Sequence, residues 1–326
     1  MCSIMGLVDV KGVFSPRDRA LIMKNLAVFS ESRGTDATGF AYNHNDYLNI
    51  VKRPVAAHKM KLKLPDSAKV IIGHTRQTTQ GRAALNYNNH PFFGKAGSTR
   101  FALVHNGILY NDGELRKKYK LPESKIKTDS FIAVQLIEHQ KRLDFSSLRY
   151  MAETVMGVFT FAILDSDNNI WLIKGDNPLC LYYNDTYEFY VFASTEEILS
   201  GALEYVGLKK LTYTKVPISS GTMMKITPTG EIERACFDMD YGGFVSGYSH
   251  CAYGWRDDRD WDAKRNESTE LQQLKEVAHT FGVAGEEIDL LLDYGYDVED
   301  VEEMLNYPND LLRVVQEIEY EVFECR

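Results

Sequence analysis

Cysteine pairing is missing from this chain. Its five cysteines, Cys2, Cys180, Cys236, Cys251 and Cys325, are odd in number, widely separated and include no Cys-x-x-Cys pair. That excludes a disulfide framework or a zinc signature of the usual spacing and fits a reducing compartment. No apolar run reaches the roughly 18 residues that a membrane-crossing helix requires. The opening Met-Cys-Ser-Ile-Met-Gly-Leu-Val-Asp has neither the basic region nor the sustained apolar stretch of a secretory signal. A cytoplasmic protein without a membrane partner is expected. The net charge of −9 argues equally against general nucleic-acid binding.

What is present is the composition of an ordinary globular protein, 44 % hydrophobic and 25 % charged, in a chain of 326 residues long enough for two domains. The charge is unevenly spread. Residues 267–326 hold 17 acids and three bases, a net of −14, which leaves 29 acids and 34 bases in residues 1–266. Up to about Asp240, short β-rich runs alternate with two helical stretches. Strands are expected at 69–74, 101–105, 158–165, 170–175, 188–193 and 221–227, several joined by hairpin-like turns, which points to antiparallel sheets. Helices are expected over 16–31 and 128–140, with a shorter one within 145–155. The domains then read as 1–243 for a mixed α and β domain, 244–266 for a glycine- and aromatic-rich linker, and 267–326 for a small acidic all-helical appendage.

Cys2 by itself reads as a small buried hydrophobe. A second residue this small also permits removal of Met1, which would put a thiol and an α-amine on one residue. An α-amine titrates near pH 8, so it can serve as the base for the thiol. The Asn106-Gly107 pair reads either as a hairpin turn or as donors for an oxyanion. Asp129 reads as a helix cap or as a ligand for an ammonium group, Arg76 as a surface ion pair or as a fork for a carboxylate. Arg33 is open to the bland reading of surface charge. His90 lacks a second histidine at ligand spacing and reads as a structural loop residue.

Taken in register, these blocks resemble the class II glutamine amidotransferases, the N-terminal nucleophile hydrolase family that includes glucosamine-6-phosphate synthase and amidophosphoribosyltransferase. Cys2-Ser-Ile-Met-Gly-Leu is similar to the family's opening. Arg33-Gly-Thr-Asp-Ala-Thr-Gly39, Gly73-His-Thr-Arg-Gln-Thr-Thr79, His90-Pro-Phe92, Val104-His-Asn-Gly107 and Lys127-Thr-Asp-Ser130 follow in order, with further likeness at 157–162 and 192–194. The resemblance covers roughly residues 2–227. It implies a four-layer α-β-β-α sandwich of the α+β class. It implies that Cys2 attacks the side-chain amide of L-glutamine through a γ-glutamyl thioester and releases ammonia. Asn106 and Gly107 would form the oxyanion hole, Arg76 and Asp129 would hold the substrate's carboxylate and ammonium, and Thr79 and Arg33 would assist. No metal or organic cofactor is implied. Gln77, Gln80 and Thr35 depart from the synthase-type pattern, which bears on closure of the glutamine loop. The region after the resemblance has no phosphate-binding Gly-x-x-x-x-Gly-Lys run or Ser-Gly-Gly-x-Asp loop, so an acceptor on a separate synthetase is expected. Two rivals stay open: hydrolysis of another γ-glutamyl amide, and a catalytically silent binding or scaffold protein.

Overall fold

Strand β1 (Ser3–Asp9) is buried along its whole length. Its side chains divide by strand alternation: Met5 and Leu7 enter one apolar cluster, Ile4 and Val8 another. A strand wetted on neither face belongs inside a layered fold. The computed structural model, which describes residues 2–239 and, beyond them, 274–275, 277–279, 281–294, 298–305 and 311–315, places β1 centrally in a seven-stranded sheet. The spatial order of that sheet is β3 (Tyr47–Arg53), β2 (Ala37–His44), β4 (Val70–Arg76), β1, β10 (Phe189–Ala193), β9 (Cys180–Asn184) and β11 (Thr214–Lys215). A six-stranded sheet runs β5 (Phe92–Ala96), β6 (Thr99–Leu109), β7 (Gly157–Asp165), β8 (Ile170–Lys174), β12 (Thr222–Ile226) and β13 (Ile232–Cys236). Every pairing in both sheets is antiparallel.

The sheets face each other across Ile4, Val8, Ala41 and Ile72 from the first and Ala102, Val104, Ala162 and Leu172 from the second. Helices α1 (Pro16–Phe29) and α5 (Glu196–Tyr205) cover the outer face of the first sheet with Ile22, Met23, Leu26, Ile198 and Leu199. Helices α3 (Phe131–Gln140) and α4 (Phe145–Thr154) cover the second with Val134, Ile137, Leu148 and Met151, and the short α2 (Asp112–Lys118) packs on α3. The result is the expected α-β-β-α sandwich. Burial of each large aliphatic side chain contributes about 1.5–3 kcal/mol, so the three apolar layers dominate its stability.

Local chemistry sets the helix starts. Ser15 caps α1 through a reciprocal capping box with Asp18, and Pro16 occupies the first turn. Asp144 and Ser147 make the same box for α4. The helix expected from residue 128 begins only at Phe131. Thr128, Asp129 and Ser130 instead form a turn whose carbonyls accept from Phe131, Ile132 and Ala133. The side chains of Asp129 and Ser130 are committed elsewhere and do not cap the helix.

The chain divides into two compact units, Met1–Cys251 and Ala252–Arg326. The division falls inside the span read as linker, 244–266, which lies outside the described residues. The second unit contains the helices Gly285–Tyr294 and Val298–Leu305 and its own apolar cluster, including Leu274, Ile288, Leu291, Val301 and Val315. Among the described residues no helix is long and apolar enough to cross a membrane.

Candidate active site

Alternation along three strands brings the candidate residues to one layer. In β4, Val70 and Ile72 point between the sheets, so His74 and Arg76 do as well; in β6, Ala102 and Val104 do the same for Asn106. Cys2 precedes β1 and shares the parity of Ile4. Register puts these residues at the same end: Ser3 pairs with Thr75, Ile4 with His74, and His74 Nε2 bonds the His105 carbonyl at 2.9 Å. The Ile4 N–H donates to Ser194 Oγ at 2.9 Å, the Ser3 hydroxyl to Ser30 Oγ at 3.0 Å, and Arg33 Nε to the Cys2 carbonyl at 3.1 Å. The half-buried Cys2 is thus held by its backbone neighbours, while its thiol approaches the Gln77 carbonyl at 3.5 Å.

Burial pushes the Cys2 thiol above its ordinary value; the Gln77 backbone and the Arg76 charge offset this in part, and Asp129 adds to it. The thiol therefore rests protonated at neutral pH and needs a base before it can attack.

Asn106 and Gly107 lie within β6, opposite Thr160 and Phe159, rather than at a hairpin turn. Gly107 has φ +146°, and a Cβ there would lie 2.0 Å from the Val158 carbonyl oxygen, so only glycine fits. The Asn106 side chain is 0 % exposed and neither of its amide atoms has a hydrogen-bond partner. An orphaned buried amide costs about 1–3 kcal/mol, which marks it as a group kept for something other than stability. Its backbone is fixed, because Asn177 Nδ2 donates to the Asn106 carbonyl at 3.0 Å.

Arg76 is 2 % exposed and forms no surface ion pair. Its Nη1 donates to Asn89 Oδ1 at 2.6 Å and its Nη2 to the carbonyls of Gln80 and of Gly81, the latter at 3.0 Å. Asn89 in turn accepts, at its carbonyl, from Lys52 Nζ. The loop after β4 is clasped from the other side: the Thr78 N–H donates to Asp36 Oδ2 at 2.8 Å, and the Asp36 N–H donates to the Arg76 carbonyl at 2.9 Å. Gly34 lets this contact close, since a Cβ there would sit 2.4 Å from the Arg76 carbonyl carbon. Thr79 is exposed on the same loop.

Asp129 is buried, with Oδ2 accepting the Leu109 N–H at 2.7 Å and Oδ1 facing the Ser130 hydroxyl at 3.3 Å. Its charge and that of Arg76 both act on Cys2, so thiol, cation and anion share one site. Beneath them lies a neutral stack. His74 and His90 are 4.1 Å apart ring to ring, and His105 lies on Phe161 at 4.5 Å. Burial drives His74 and His105 down to about 3, and His90 well below its usual value. His90 is a packed structural residue, and among the described residues no cluster of three or more His, Cys, Asp or Glu side chains is placed to hold a metal. Sequence reasoning overlooked Asp36, Asn89, Asn177 and Ser194. All four act across long sequence separations, and only the Asp36 and Ser194 positions fell inside matched motifs.

Comparison with known proteins bears on the family and the fold. Residues 74–201 match the family model described as a glutamine amidotransferase domain. The glutamine–fructose-6-phosphate aminotransferase (isomerizing) of Streptococcus pyogenes is 30 % identical over 57 % of this chain and 31 % of its own length. The 7-cyano-7-deazaguanine synthase of Saccharolobus solfataricus is 27 % identical over 71 % of this chain and 51 % of its own. The chain thus spans 31 % and 51 % of the length of these two curated relatives. Among solved structures, the glutamine phosphoribosylpyrophosphate amidotransferase of B. subtilis superposes with a TM-score of 0.56 at 20 % identity, covering 73 % of this chain and 50 % of that one, which shows a shared fold.

Proposed function

The chain carries a class II glutamine amidotransferase domain, and from that premise we propose that it hydrolyses the side-chain amide of L-glutamine, with Cys2 as nucleophile once Met1 is removed. The observation that carries the reading is the fully buried, unpartnered Asn106 amide beside Gly107, on the layer and at the end where Cys2 enters.

The neutral α-amine of Cys2 takes the thiol proton as Sγ bonds to the amide carbon. The carbonyl electrons move to oxygen, and this oxyanion accepts hydrogen bonds from Asn106 Nδ2, which has no protein partner to give up, and from the Gly107 N–H. Collapse re-forms the carbonyl and breaks the C–N bond; the amine returns the proton to nitrogen, and ammonia leaves. Water attacks the thioester, its proton passing to the amine, which gives it to the departing sulfur as glutamate forms. Arg76 holds the α-carboxylate and Asp129 the α-ammonium, so free glutamine is recognised over a protein-bound one. Arg33 fixes the Cys2 carbonyl, and the polar groups of Thr79 help hold the substrate. Ammonia then passes to an acceptor on a separate protein.

Incubating the Met1-free protein with L-glutamine tests this. Glutamate and ammonia should appear in equal amounts and be abolished in Cys2→Ala. Failure of the processed protein to form glutamate would overturn the reading in favour of a silent scaffold, and preferential cleavage of γ-glutamyl peptides would replace the substrate.

A further inference from the structure

We propose that His105 and Ser130 are positioning residues that hold Asp129 in the orientation that reads the substrate's α-ammonium group; this rests on the glutaminase reading above. Ser130 Oγ lies 3.3 Å from Asp129 Oδ1 and 2.8 Å from His105 Nδ1, and all three residues are buried. A serine hydroxyl has one proton to give. The ionised carboxylate is the stronger acceptor, so the proton goes to Asp129 and His105 Nδ1–H donates to Ser130. Burial leaves the imidazole a single proton, for which the Val158 carbonyl at the opposite edge of the ring competes; the relay to Asp129 needs it on Nδ1.

The ring lies on Phe161 at 4.5 Å, and the absence of a side chain at Gly107 leaves room for its Nε2, which is 2.6 Å from where a Cβ there would stand. Because the imidazole is neutral, the chain delivers a hydrogen bond to Asp129 without cancelling its charge. A cationic ring would pair with the carboxylate and compete with the ammonium group for it. With Leu109 N–H on Oδ2 and Ser130 on Oδ1, two of the carboxylate's roughly four acceptor positions are occupied and their directions set those of the rest. One ring thereby ties the ammonium-reading carboxylate to the Asn106-Gly107 segment that follows it in the chain.

The test compares L-glutamine with glutaramate, which keeps the carboxylate and the amide and lacks the α-amine. In Ser130→Ala the KM for glutamine should rise about tenfold with kcat within about twofold, the size of one weakened charge-assisted hydrogen bond. The KM for glutaramate should not change, and Ser130→Thr, which restores the hydroxyl, should restore the glutamine KM. If Ser130→Ala does not fold, Ser130→Cys, a weaker donor, should show the same split at smaller amplitude. Equal losses on both substrates, or a fall in kcat alone, would overturn the inference while leaving the glutaminase reading intact. A wild-type protein inactive on glutamine would instead remove the reading on which both rest.

Discussion

Asn106 is stitched in by its backbone while both polar atoms of its amide are left unused. That combination gives opposite expectations for activity and stability. Asn106→Ala removes the proposed oxyanion donor, so kcat should fall by about 10²–10³ with little change in KM. It also removes an orphaned buried amide, so the thermal midpoint should stay level or rise, a pairing that steady-state kinetics and calorimetry read together. Cys2 carries a pH expectation. Its thiol is pushed up by burial, and in the proposed mechanism the base is the α-amine, which must be neutral. The kcat/KM for glutamine should therefore rise with pH and level off around pH 8, the ordinary range of an α-amine. A profile flat from pH 6 to 9 would contradict amine-mediated proton transfer.

The elements place the site by parity and by clasping, and these two devices were unequally legible in the sequence. The period-2 runs and antiparallel pattern could be read from the chain, as could α1 and the body of α3, because apolar spacing is a local signal. The start of α3 could not: Asp129 and Ser130 look like capping residues until Leu109 and His105 arrive from β6 to claim their side chains. Helix α2 offers a single buried apolar residue, Leu115, and α5 packs its apolar positions into ten residues, a span too short for a periodic signal to stand out. The motifs revealed Cys2, Arg76, Asn106 and Asp129, whereas Asn89 and Asn177, which hold Arg76 and Asn106 in place, are visible only through tertiary contact. The clasp itself can be tested. Gly34→Ala forces the backbone after Arg76 aside and should raise the KM for glutamine about tenfold, because a displacement of about 1 Å in a positioned group costs one to two orders of magnitude. An unchanged KM would mean that the loop does not depend on this approach.

For the molecule as a whole, the neutral histidine stack links stability to pH. His74 and His105 are held near 3 in the fold, below their value in the unfolded chain. The unfolded state therefore binds more protons between roughly pH 6.5 and 3, and stability is lost as pH falls through that window. Each of the two should withdraw about 2 kcal/mol between pH 7 and pH 5, before most carboxylates titrate, and urea unfolding at the two pH values would measure it. The two compact units also differ in charge, and the strongly acidic helical one has no part in the chemistry proposed for Cys2. Deleting residues 267–326 should thus leave the kcat for glutamine hydrolysis within about twofold, a change of under half a kcal/mol in the barrier. The most direct measurement is an intact-protein mass spectrum before and after exposure to 6-diazo-5-oxo-norleucine, a glutamine analogue that alkylates such nucleophiles. The expected result is a chain lacking Met1 that gains one adduct, with no adduct in Cys2→Ala. A chain that lacks Met1 and stays unmodified, or an adduct that persists in Cys2→Ala, would contradict Cys2 as the glutamine-directed nucleophile.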